Sequence, residues 1–168
     1  MGLFTKKYTI GDLLNVDAIR NEKASLCNVK LVKVFHEVKK EDLLTRLREF
    51  FGNKSSVNAY YVIFKLKVTS DTGHAHTVFI RTNPDFNLND WGSNKVQIYC
   101  DCPDFKFRSA YRLNQHGSLF LNNTTTIALG AALTDTPKAK TVTSLLCKHC
   151  VAALNWIVSN YSSLMRSI

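Results

Sequence analysis

The sequence predicts an α+β fold, a mainly antiparallel sheet with flanking helices. Two runs carry that reading. In residues 57–69, Tyr60, Val62, Phe64, Leu66 and Val68 alternate onto one face, the period of a strand. Ser70-Asp71-Thr72-Gly73 then marks a turn, and residues 74–82 return as its hairpin partner. In residues 147–161 the period changes. Cys147, Cys150, Val151, Leu154, Val158 and Tyr161 fall on one helical stripe.

The other elements follow along the chain. Residues 1–25 read as an N-terminal arm with a short helical turn, anchored by Leu13, Leu14, Val16 and Ile19. Such an arm either packs on the body or grips a neighbour. Residues 26–168 read as a single domain, the default for 168 residues of which 45% are hydrophobic. Residues 26–38 are strand-like, and their alternation slips between Leu31 and Val32, which predicts a bulge. Residues 39–51 predict an amphipathic helix with Leu43, Leu44, Leu47, Phe50 and Phe51 on one side and Gly52 as its stop. On the second face of strand 57–69, Tyr61 and Ile63 give way to Lys65 and Lys67. That strand therefore starts buried on both sides and ends with one face wet. Residues 83–94, rich in Asn, Asp, Pro and Gly, form a loop. Residues 117–143 read as a long loop, which in a compact domain is functional or disordered.

Two residue pairs carry chemistry. In Lys95 to Cys100, Val96, Ile98 and Cys100 share a face, and the same period directs Cys102 to the side of Cys100. Far downstream come Cys147 and His149. Two thiols, then a thiol and an imidazole, make one closed tetrahedral zinc site. Residues 147 and 149 stand about 200° apart on a regular helix, at ~100° per residue. They converge only if Cys147 precedes the helix or its first turn is irregular. Cys150 is the rival fourth ligand, because Cys147-x-x-Cys150 is itself a zinc-knuckle spacing. It also sits on the apolar stripe, where a small buried hydrophobe is ordinary. Cys27, in a separate strand-like run, reads as core. A site filled by four ligands has no position for substrate or water, so the zinc is structural and its binding energy is folding energy. Lys106 and Lys148, near the ligands in sequence, moderate the net negative charge of three thiolates around one divalent ion.

The flanking residues extend this pattern. Cys100-Asp-Cys102-Pro103-Asp104-Phe105-Lys106-Phe107-Arg108-Ser109-Ala110-Tyr111, followed later by Leu146-Cys147-Lys148-His149 and Ala152-Ala153-Leu154, resembles the SWIM zinc finger in proteins encoded by tailed bacteriophages. The resemblance covers residues 98–155 and implies one zinc and a binding role, with no reaction. It also implies a DNA- or protein-binding module.

Composition narrows the classes. The net charge of +9 is spread along the chain with no block of five like charges, so it favours contact with polyanions without defining a groove. Pro103 suits the first position of a helix. On that helix Phe107 and Tyr111 share one face and Arg108 and Arg112 another. One reading turns the aromatics inward and leaves the arginines in water. The other makes Lys106, Arg108, Arg112 and Lys148 contacts to nucleic acid or an acidic partner. No apolar run of 18 residues exists, so no membrane span is expected. The N-terminus lacks a signal-peptide layout, and the cysteines are spaced for metal and not for disulfides, which fits cytosolic assembly. His74 and His76 read as exposed strand histidines, with no third ligand beside them. No glycine-rich phosphate loop and no distinctive catalytic grouping appears, so neither an enzyme nor a small-molecule substrate is expected. The expected function is a structural or adaptor component of a tailed-phage virion, in the capsid, portal or neck region. It would bind other virion proteins, as multiple copies in a ring or shell, after assembly in the host cytoplasm. The alternative is a DNA-binding accessory protein in phage replication, recombination or packaging.

Overall fold

The computed structural model describes residues 7–15, 18–38, 60–83, 86–87, 89–133 and 145–166. The helix predicted over residues 39–51 lies outside them. Two helices, α1 (Ile10–Leu14) and α2 (Ala18–Ser25), precede strand β1 (Asn28–Val38). The hairpin β2 (Tyr60–Thr69) and β3 (Ala75–Thr82) leads to β4 (Val96–Cys100). Then come a π-helical segment (Phe105–Ser109), α3 (Ala110–Gln115), α4 (Asn123–Leu129) and the long α5 (Lys148–Arg166). The fold is α+β, with four antiparallel strands in the order β1-β2-β3-β4.

Register explains how the sheet buries one face. Val34, Phe64, Ile80 and Ile98 lie side by side across the four strands, as do Leu31, Leu66, Val78 and Cys100. The β1–β2 register slips between Leu31 and Lys33. Val32 is the extra residue and is exposed, so Leu31 and Val34 both stay on the core side. The expected bulge is therefore present. Along β2, Val62, Ile63 and Phe64 are buried while Lys67 is exposed, as the change of pattern along that strand requires. Gly73 closes the β2–β3 turn at φ +83°, a left-handed conformation that favours glycine.

Helix α5 lies on the buried face. Its Val151, Leu154, Ile157 and Tyr161 are buried, and the Tyr161 ring meets Phe64 edge-on at 5.9 Å. Ile10, Leu13 and Ala24 join the same core, so the described part of the N-terminal segment packs on the body. Thr9 and Asp12 form a reciprocal capping box for α1, and Ile10 N–H donates to the Asn94 carbonyl at 2.8 Å. A Cβ on Gly11 would lie 3.1 Å from the Gly92 carbonyl oxygen, so this contact depends on glycine. Cys27, expected in the core, is half-buried and packs against the core's edge.

Two expectations need correction. Residues 117–143 are not one loop. Asn122 caps α4 through a reciprocal bond with Thr125, and Thr125 is buried, so a polar run forms a helix. Just before it, Ser118 and Phe120 bond to both sides of Ile98, covering the free edge of β4. The second correction concerns the aromatic residues after Pro103. Phe105 is fully buried, whereas Phe107 is 67% exposed. The inward stripe runs through Phe105, Ser109, Ala110 and Leu113, which places Phe107 on the far side. Residues 105 and 107 stand about 200° apart at ~100° per residue, so burying Phe105 turns Phe107 outward; the π segment is closed by Ala110 N–H to the Phe105 carbonyl.

Candidate metal centre

The four ligand candidates meet where β4 ends and α5 begins. One sulfur each from Cys100, Cys102 and Cys147 and a ring nitrogen of His149 all lie within 4.8 Å of one another, and all four residues are buried. Zinc bonds run about 2.3 Å to sulfur and about 2.0–2.1 Å to nitrogen. Small side-chain rotations bring this cluster onto one tetrahedral ion. Neither ring nitrogen of buried His149 has a hydrogen-bond partner among the described residues. A buried imidazole left without partners is costly, and a bound ion gives one of its nitrogens a partner. The donor set and the orphaned imidazole fit one structural zinc, which would be held by Cys100, Cys102, Cys147 and His149.

Local structure aims the ligands. Cys100 ends β4, opposite Val78, on the core face of the sheet. Cys102 gives its carbonyl to Lys106 N–H at 3.2 Å, and its sulfur accepts the Phe105 N–H at 3.3 Å. Pro103 thus begins a helix, where its missing N–H costs nothing. On the other side, α5 starts at Lys148 and Cys147 precedes it, its carbonyl accepting the first helical bond from Val151. That placement lets residues 147 and 149 converge despite a spacing that a regular helix would splay.

The thiols compete for one charge. Burial, then the neighbouring Cys102, Cys147 and Cys150 thiols, push Cys100 well above its ordinary range. Contact with Cys100 draws Cys102 down, but Cys147 and burial outweigh it and push that thiol up to about 12. Burial also raises Cys147, yet contacts from Cys100, Cys102, Cys150 and His149 overcome it and bring this thiol well below its ordinary range. Of these three thiols, Cys147 is the one whose neighbours favour the thiolate. Cys150 is buried in the first turn of α5 and touches this set, perturbing both Cys100 and Cys147. It lies outside the four-atom cluster, which takes His149 instead.

Sequence reading missed the support around the site. Asp101, between two ligands, is tied to β3 three times. Its carboxylate accepts from Thr77 N–H at 3.1 Å and faces His76 Nδ1 at 3.0 Å, and its own N–H donates to the Thr77 carbonyl at 3.2 Å. The His76 ring lies 4.4 Å from that of His149. His76 is therefore a packing partner of a ligand, placed there by the β3–β4 register. No local signal reveals this, because the pairing is between strands.

The candidate contact residues divide. Lys148 Nζ is 2.8 Å from Asp71 Oδ1, and Arg108 Nε is 2.8 Å from Asp104 Oδ1. Lys106 Nζ donates to the Ala128 carbonyl at 3.1 Å, tying the π segment to α4. Arg112 is half-buried on α3 near Tyr8. Arg108 and Lys148 line one cavity, and neither Lys106 nor Arg112 is part of its wall. Among the described residues, no helix is long and apolar enough to cross a membrane.

Residues 76–113 and 141–155, about a third of the chain, match the SWIM zinc finger family. No curated protein and no solved structure matches. The match begins at His76 and brackets both ligand pairs, so the chain carries a SWIM-type zinc finger.

Proposed function

We propose that the chain is a non-enzymatic, zinc-stabilised binding module, serving as a structural or adaptor component of a tailed-phage virion. Its partners are other proteins of the particle, in the capsid, portal or neck region. One observation carries the docking role. Phe107 is 67% and Ile127 81% exposed, on two segments that the Lys106–Ala128 bond joins. Large apolar side chains in water on a metal-braced scaffold suit a protein interface. The phage setting is supported by the flanking residues Pro103 to Tyr111 and Leu146. The non-enzymatic reading is supported by a ligand set that fills every zinc position. Changing both Phe107→Asp and Ile127→Asp is expected to leave zinc content and melting temperature unchanged and to abolish incorporation into particles. Particles that lack the wild-type chain in stoichiometric amount would overturn the reading.

A second reading is a DNA-binding accessory protein in phage replication, recombination or packaging. It is favoured by Arg108 and Lys148 sharing one cavity wall. DNA affinity that falls with salt, and falls again on Arg108→Glu, is its test.

A further inference from the structure

A cavity of about 370 Å³ opens beside the metal centre, between α2, the segment after Cys102 and the start of α5. Its charged wall consists of Arg20, Lys23, Arg108 and Lys148, against the one carboxylate of Asp104. These cations come from three separate stretches of sequence, and only the fold gathers them.

The wall is pre-organised. Asp104 sits between two guanidinium groups, with Arg20 at 2.7 Å from one oxygen and Arg108 at 2.8 Å from the other. Arg108 meets it through Nε. Asp71 steadies Lys148 from outside the cavity wall. Lys23 is exposed on α2 and forms no ion pair among the described residues. His149 also lines the cavity, is 5% exposed, and has two ring nitrogens without partners among the described residues. Zinc accounts for one of those nitrogens. The second is a ring N–H that lacks an acceptor, and metal-bound histidines characteristically give this proton to an anion or carbonyl.

We propose that this cavity binds a phosphate group, supplied by a nucleic-acid backbone or by a free phosphate monoester. Phosphate oxygens match fixed guanidinium forks and flanking ammonium groups. Four cations outweigh Asp104, the Asp71 paired with Lys148 and the net negative charge of a three-thiolate zinc centre. This inference deepens the DNA-binding reading and is independent of docking through Phe107 and Ile127.

The test uses the zinc-loaded full chain, titrated with inorganic phosphate and followed by NMR of backbone amides and histidine ring nitrogens. Saturable shifts at Lys23, Arg108 and the His149 ring are expected, weakened about tenfold or more by Lys23→Glu with zinc content unchanged. Arg108→Gln, which keeps a hydrogen-bonding side chain, is expected to weaken binding as well. No saturation below about 10 mM, or saturation indifferent to Lys23→Glu, overturns the site. An unphosphorylated single-stranded oligonucleotide and a 5′-mononucleotide then identify the source. Tight, Lys23-dependent binding of the oligonucleotide assigns a backbone phosphate, and binding of the mononucleotide alone assigns a monoester. Phosphate binding with no DNA binding removes the DNA reading and leaves the cavity. DNA binding indifferent to both variants removes the cavity and leaves DNA recognition elsewhere.

Discussion

Cys102 and Cys147 occupy matching places in the fold, each just before a helix and each giving its carbonyl to that helix, at 3.2 Å from Lys106 N and 3.2 Å from Val151 N. Two zinc-ligating thiols thereby sit at two positive helix ends. A helix N-terminus favours a nearby anion and makes a thiolate easier to form. The two segments that the metal joins thus share the same backbone arrangement, although the surrounding thiols raise Cys102 and lower Cys147.

Metal analysis is expected to find about one zinc per chain. Cys102→Ser and Cys147→Ser are each expected to lose the metal and much of the folded state, read by metal content and thermal melting. Structural zinc contributes about 10–16 kcal/mol in small zinc-finger peptides. A chain with its own sheet core would lose only part of that. A Cys102→Ser variant that melts like the wild type without zinc would show that the site is not structural.

The fourth ligand is decided by comparing two variants. His149→Ala removes a cluster member and is expected to cost at least about a hundredfold in zinc affinity. Cys150→Ala trims a buried thiol and is expected to keep the metal, with a stability loss of about 1 kcal/mol. Competition with a chromophoric chelator distinguishes them. The opposite ranking would assign Cys150 as the ligand.

Zinc affinity is expected to fall as pH falls. Cys100 and Cys102 are raised, so both are protonated near neutrality in the apo protein, whereas Cys147 is lowered by its neighbours. Zinc must displace their protons, so binding near neutrality releases about two protons and weakens up to about a hundredfold per pH unit of acidification. Stability from the metal is therefore present at higher pH and lost on acidification. Calorimetry in buffers of different ionisation heat counts the protons. A count near zero contradicts the assigned protonation.

Asp101→Asn and His76→Ala touch no metal ligand bond, yet both are expected to weaken zinc binding by about 10–100-fold, the usual effect of residues that orient ligands. The physical reason is that Asp101 anchors the Cys100–Cys102 knuckle to β3, and His76 packs on the His149 ring. Wild-type affinity in both variants would show that the knuckle needs no such anchor.

The two phenylalanines of the π segment are expected to behave oppositely. Phe105→Ala empties a fully buried site that meets Tyr99 edge-on at 5.8 Å, and should cost about 3–5 kcal/mol. Phe107→Ala lies in water and should change stability by at most about 0.5 kcal/mol. Equal losses in denaturant unfolding would place Phe107 in the core after all.

Local pattern was enough for much of this protein. Side-chain alternation located β2 and β4, the Ser70–Gly73 turn located β3 as a hairpin partner, the phase slip located the bulge at Val32, and ligand spacing named the metal cluster with Cys150 as rival to His149 for its fourth place. Each of these depends on neighbours within a few residues, where period and spacing act directly. Tertiary structure decided the rest. It set Phe105 inside, and Phe107, two residues on and about 200° away at ~100° per residue, therefore outside. It made a helix of Asn123–Leu129 by capping a polar run and burying Thr125 and Leu129. It brought His76 and Asp101 to the ligands, and Arg20 and Lys23 to Arg108 and Lys148, through strand register and helix packing. Those groupings join residues far apart in the chain, and nothing in the local sequence encodes which distant segment will face them.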